Sequence, residues 1–102
     1  MKTGNEITPS NIFHPGVVLD EEISFRGLTK KSVAEKMGIS SSVLSEIISG
    51  KRNISPRLSI QIEEALGVNA LFFLNMQARY DYYTLKGKLK KLSSGRNGKK
   101  AA

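Results

Sequence analysis

Ser41, Ser42, Ser45 and Glu46, near the middle of the 102-residue chain, have the types and spacing to read the edges of bases. On a helix they fall away from Leu44 and Ile47. Serine hydroxyls donate or accept with little preference, and a glutamate can accept from the amino group of cytosine. Residues 40–50 contain no lysine or arginine, so the bidentate arginine–guanine contact has no source there. Attraction to phosphate must come from the flanks. Thr29, Lys30, Lys31 and Ser40 lie before this segment's outer face, and Lys51 and Arg52 follow it. Backbone N–H groups at a helix start add to that attraction. Glu46 has a blander role open to it, as a solvated residue paired with Lys36 or Arg52.

Two short helices joined by a tight turn must hold these groups. Thr29 is a cap, and Val33, Ala34 and Met37 form one apolar face. Gly38 stands where the first helix must stop, since glycine takes the left-handed C′ conformation without a Cβ penalty. Ile39 links to Ser40, the cap of a second helix whose inner face is Leu44, Ile47 and Ile48 and which Gly50 ends. A small residue, a glycine four positions on, and apolar residues six and nine beyond that glycine is helix-turn-helix spacing, here over 29–50.

Charge is sorted along the chain. Residues 29–57 carry six basic and two acidic side chains, whereas 6–25 carry four acids and no base. From Lys86 onward there are seven basic residues and no acid, which accounts for the whole net charge of +7. The helix-turn-helix region is therefore the basic face of a dipolar body, as phosphate binding requires.

The remaining elements also read as helices. His14-Pro15-Gly16 opens the first, with proline at N1, and Leu19 and Ile23 face inward. Ser55-Pro56 starts a fourth with Leu58, Ile62, Ala65 and Leu66 on one face, ended by Gly67. Asn69 caps a fifth that could reach Leu92. It carries two apolar stripes. One is Leu71, Leu74, Ala78, Tyr82, Leu85, Leu89 and Leu92, expected to cover the other four helices. The second, Phe73, Met76, Tyr80 and Tyr83, is then left for a partner. The class is all-α, with a flexible N-terminal arm at 1–11, a domain at 12–86, and a basic, disordered tail at 87–102 beyond the weak helix position Gly87.

Catalysis has little to work with. There is one histidine, His14, and no cysteine, so neither a Ser-His nor a Cys-His nucleophile pair can be assembled. The adjacent carboxylates Glu21-Glu22 and Glu63-Glu64 sit on outward faces, and no phosphate loop or transition-metal spacing occurs. We expect a non-enzyme without cofactor or metal. The first residues lack the apolar core of a signal peptide, and the longest apolar run, 70–74, cannot cross a bilayer. A cytoplasmic chain without membrane contact is the expectation.

The segment HPGVVLDEEI, the helix-turn-helix and SGKRNISPRLSIQIEEALGVNALFFLNMQARYDYY together resemble the HigA-type (VapI-like) antidotes of bacterial toxin–antitoxin modules, within the wider Cro/C1-repressor-like class. The pointers are the HPG opening, the GKR-x-I-[ST] loop at Gly50–Ser55 and the aromatic-L-N-[LM]-Q segment at Phe73–Gln77. The resemblance covers about residues 12–84. It implies a five-helix, lambda-repressor-like domain with a long C-terminal helix and a homodimer made largely through its C-terminal part. It further implies a palindromic operator in double-stranded DNA upstream of the chain's own operon, and a HigB-type mRNA-cleaving toxin as partner. By position, the DNA readers are Ser41, Ser42 and Glu46, with Lys51 and Arg52 on phosphate. The groove helix lacks the arginine that many relatives carry near Glu46, and Phe73 replaces the usual tryptophan. Two other readings stay open: a stand-alone repressor without a toxin, and a protein-interaction module with vestigial DNA binding.

Overall fold

The computed structural model describes residues 12–100, with side chains through Leu92. Five helices follow one another: α1 (Pro15–Phe25), α2 (Lys30–Met37), α3 (Ser41–Ile48), α4 (Pro56–Leu66) and α5 (Ala70–Lys100). No strand occurs among the described residues. The expected arm at 1–11 lies outside them.

Each boundary has a local cause. Thr29 Oγ1 accepts from the Ser32 N–H at 3.0 Å, Ser40 Oγ from Val43 at 3.1 Å, and Ser55 Oγ from Leu58 at 3.1 Å. Asn69 Oδ1 accepts from Leu71 N–H at 2.8 Å. Each bond satisfies a donor that the first turn leaves without an intrahelical partner. At the other end of α2, Gly38 takes a left-handed φ of 77°, which turns the chain sharply into α3.

The core is one cluster: Leu19 and Ile23 of α1, Val33, Ala34 and Met37 of α2, Leu44 and Ile47 of α3, Ile54, Ile62 and Leu66, and Phe73 of α5. The turn of the helix-turn-helix packs α2 on α3, while α4 backs α2 and α5 backs both α4 and α1. Ala34 is 1% exposed, so the small residue sits in the interior, as a close helix crossing requires.

The two stripes of α5 are reversed from the sequence expectation. Phe73, expected at a partner face, is completely buried, and Ala70 and Gln77 are buried with it. The stripe expected to form the core is the open one, with Leu71, Tyr82, Leu85, Leu89 and Leu92 between 53% and 61% exposed. Apolar spacing could not choose the phase, because a glutamine stands on the inner face. Gln77 is 5% exposed and supplies a hydrogen bond that an apolar side chain could not. A second difference lies beyond Gly87. The helix continues through Lys100, where the sequence suggested a disordered tail from 87 onward. Gly87 by itself costs the helix only about 1 kcal/mol relative to alanine, so α5 runs past it.

Candidate nucleic-acid interface

The outer face of α3 is open. Ser41, Ser42 and Ser45 are exposed and Glu46 is half-buried. Together with Ser49 and Lys51 they line one shallow surface depression. Ser49 was missed in the sequence, although it lies one turn beyond Ser45 and its hydroxyl donates to the Glu46 carbonyl at 3.2 Å. Serine hydroxyls and one carboxylate on or at the end of the helix, with one ammonium from the following loop, offer mixed donors and acceptors. That chemistry suits the floor of a major groove.

The cations divide into two kinds. Lys31 and Lys51 are exposed. Lys30 Nζ lies 3.9 Å from Asp20 Oδ1, with both side chains largely in solvent, a pairing worth little that water and salt screen. Arg52 is committed more firmly: its Nη2 lies 2.7 Å from Glu46 Oε1 and its Nε donates to the same oxygen at 2.9 Å. The blander role for Glu46, pairing with Arg52, is thus present in the structure. Thr29 and Ser40 use their hydroxyl oxygens as caps, which leaves each O–H proton able to donate to a phosphate.

The segments that carried the family likeness converge behind this face. His14 caps α1: its Nδ1 accepts from the Gly16 N–H at 2.9 Å, so the ring proton sits on Nε2, 3.2 Å from Asn53 Oδ1. The His14 ring also meets Tyr80 edge-on, with centroids 5.0 Å apart. Gly16 lies against the backbone of Ile47, at the end of α3. Gln77 Oε1 accepts from the Ile54 N–H at 2.7 Å, and its Nε2 donates to Asp81 at 2.9 Å. The HPG, GKRNIS and FLNMQ segments therefore form one brace that holds α3 and the loop after it. The hydrogen bonds between these segments span 23 and 39 residues, and spacing alone could not pair them. Of the expected partner-face residues, Tyr80 is thus half-buried in the brace and Phe73 in the core. Met76 lines a groove with Ile12, Phe13, Val18 and Arg79, and Tyr83 stacks edge-on with Tyr82.

This fold, with an exposed polar helix packed against a second short helix across a tight turn, defines a helix-turn-helix domain of Cro/C1 type. A helix-turn-helix family model matches residues 26–73. The chain is 39% identical over 69 residues to virulence-associated protein A of Dichelobacter nodosus, covering 66% of this chain and 68% of that protein. It is 32% identical to virulence-associated protein A′ of the same organism, covering 67% of this chain but spanning only 60% of that protein's length. It belongs to this helix-turn-helix family. Among solved structures it is similar to an addiction-module antidote protein of the HigA family from Coxiella burnetii (26% identity, TM-score 0.74, 87% of this chain and 95% of that one). It shares its fold with a Pseudomonas aeruginosa protein crystallised with its operator DNA (23% identity, TM-score 0.69, 76% and 84% covered).

Proposed function

We propose that this protein is an antitoxin that binds a palindromic operator as a homodimer, represses its own operon and neutralises a HigB-type mRNA-cleaving toxin. The observation that carries the DNA half is the outer face of α3, open and polar, with lysines beside it and a buried brace behind it. Ser41, Ser42, Ser45 and Glu46 contact base edges, while Lys30, Lys31 and Lys51, with the Thr29 and Ser40 hydroxyls and the start of α2, contact phosphate. A two-fold dimer would set its two α3 helices about 34 Å apart, one DNA turn.

The dimer contact belongs to the exposed stripe of α5. Ala78, Tyr82, Leu85, Leu89 and Leu92 follow an alternating four-three spacing, which keeps one seam facing a partner helix. The likeness to the addiction-module antidote protein of the HigA family supports the toxin half.

The deciding experiment expresses the chain with its neighbouring reading frame and asks two questions. Co-purification of the two products supports neutralisation. A salt-sensitive gel shift on the DNA upstream of the operon supports autorepression. A shift without any co-purifying partner would favour a stand-alone repressor, and a partner without any shift would favour vestigial DNA binding.

A further inference from the structure

Glu46 is tied to the loop after α3 through both its main chain and its side chain. Its carbonyl accepts from the Lys51 N–H at 2.8 Å and the Arg52 N–H at 3.1 Å. Gly50, with a left-handed φ of 85°, reverses the chain so that the Arg52 guanidinium returns over the last turn of the helix. Both guanidinium contacts, at 2.7 and 2.9 Å, fall on Oε1 of Glu46, and neither uses Oε2. The two side chains remain 47% and 45% exposed, so the pair stands at the surface of the depression that the serines line.

We propose that Arg52 is a positioning residue for base readout: it holds Glu46 by Oε1 so that Oε2 accepts from the amino group of a cytosine. The proposal rests on the DNA-binding reading above and replaces a phosphate role for Arg52. A lone glutamate suits a groove edged with phosphates poorly, since its charge is repelled and its flexible side chain must be ordered on binding. The Arg52 fork offsets both costs in advance by neutralising the carboxylate and fixing its rotamer. The Nε hydrogen bond and the Nη2 ion-pair contact already hold the guanidinium against Glu46, so a charge-assisted pairing is in place before DNA arrives. Lysine is no substitute, because its ammonium is a point charge on a flexible stem and lacks the planar, preorganised guanidinium that fixes the carboxylate's orientation.

The test selects preferred duplexes from a randomised library with the full-length wild-type chain. Affinities follow for wild type, Glu46→Ala, Arg52→Ala, Arg52→Lys and the double alanine variant, on the selected duplex and its single-base-pair replacements, from about 50 to 200 mM salt. Wild type should favour one C·G pair in each half-site by about tenfold. Glu46→Ala and Arg52→Ala should both lose that preference, and the double variant should bind no worse than Arg52→Ala. Arg52→Lys should lose it too despite keeping the charge, and the salt slope of Arg52→Ala should match wild type. Circular dichroism verifies that each variant is folded. If Arg52→Ala instead weakens every duplex alike, keeps the C·G preference and lowers the slope by about 0.9 per subunit, Arg52 is a phosphate clamp and the proposal fails alone. Wild type without salt-sensitive DNA binding would overturn the underlying reading and the proposal together.

Discussion

Gly16 at the start of α1 and Ile47 at the end of α3 touch backbone to backbone. A Cβ on Gly16 would overlap the Ile47 carbonyl oxygen and lie 2.8 Å from its carbon. That same carbonyl accepts from the Gly50 N–H at 3.1 Å, so the contact also bears on the turn that leads into Lys51 and Arg52. The requirement for glycine in the HPG segment is thus steric. No larger residue lets α1 seat so closely against the groove helix.

Gly16→Ala should therefore destabilise the domain by about 1–3 kcal/mol, the usual cost of forcing a methyl group into a filled space. Gly87→Ala is the matched control, because nothing lies within 4 Å of the Cβ it would add. It should leave stability unchanged or raise it by up to about 1 kcal/mol through helix propensity. Urea midpoints of both variants against wild type test the pair. Equal midpoints would show that the Gly16–Ile47 contact is not tight.

Gln77→Leu keeps much of the side-chain volume but leaves the Ile54 N–H without its acceptor. An unsatisfied buried donor costs about 1–3 kcal/mol, and the loss should show in the urea midpoint. Hydrogen exchange should speed first at Ile54, before the core helices respond. Unchanged protection there would mean that the glutamine does not hold the loop.

Lys51→Ala should weaken binding to all duplexes by a similar factor and reduce the salt slope by about 0.9 per subunit, as one lost phosphate contact does. Ser42→Ala should leave the slope alone and relax preference at one base pair. Gel shifts at three or more salt concentrations separate the two effects. A base-specific effect of Lys51→Ala would turn the docking around.

Leu85→Glu with Leu89→Glu should produce monomers in sedimentation, with the helical signal of the domain retained, since both residues are exposed. Tyr80→Glu acts differently. It removes the ring that meets His14 and should lower stability before it changes association. Dimers that persist in the leucine variant would move the interface to the groove formed by Ile12, Phe13, Val18, Met76 and Arg79.

The helix starts could be read directly. Thr29, Ser40, Ser55 and Asn69 each cap the helix assigned to them, and Gly38 stops α2 in the left-handed conformation expected of it. Capping is local chemistry between residues two or three apart, so residue types in order are sufficient. The same holds for the open face of α3, because Leu44 and Ile47 dictate which side is buried and hence which residues remain outside. It fails for α5. Two apolar stripes on one helix give two defensible phases, and choosing between them needs the rest of the body.

What the sequence alone determined was therefore the number of helices, their starts, the helix-turn-helix and the residues on its outer face. Each follows from contacts within a turn or two of chain. Tertiary structure decided that Phe73 is core, that the stripe from Tyr82 to Leu92 is open, and that Gln77 reaches Ile54. It also decided that the Arg52 guanidinium turns back onto the Glu46 carboxylate. These are relations between groups brought together by chain reversal or helix packing. The free energy that selects them depends on distances in space, which residue order does not contain.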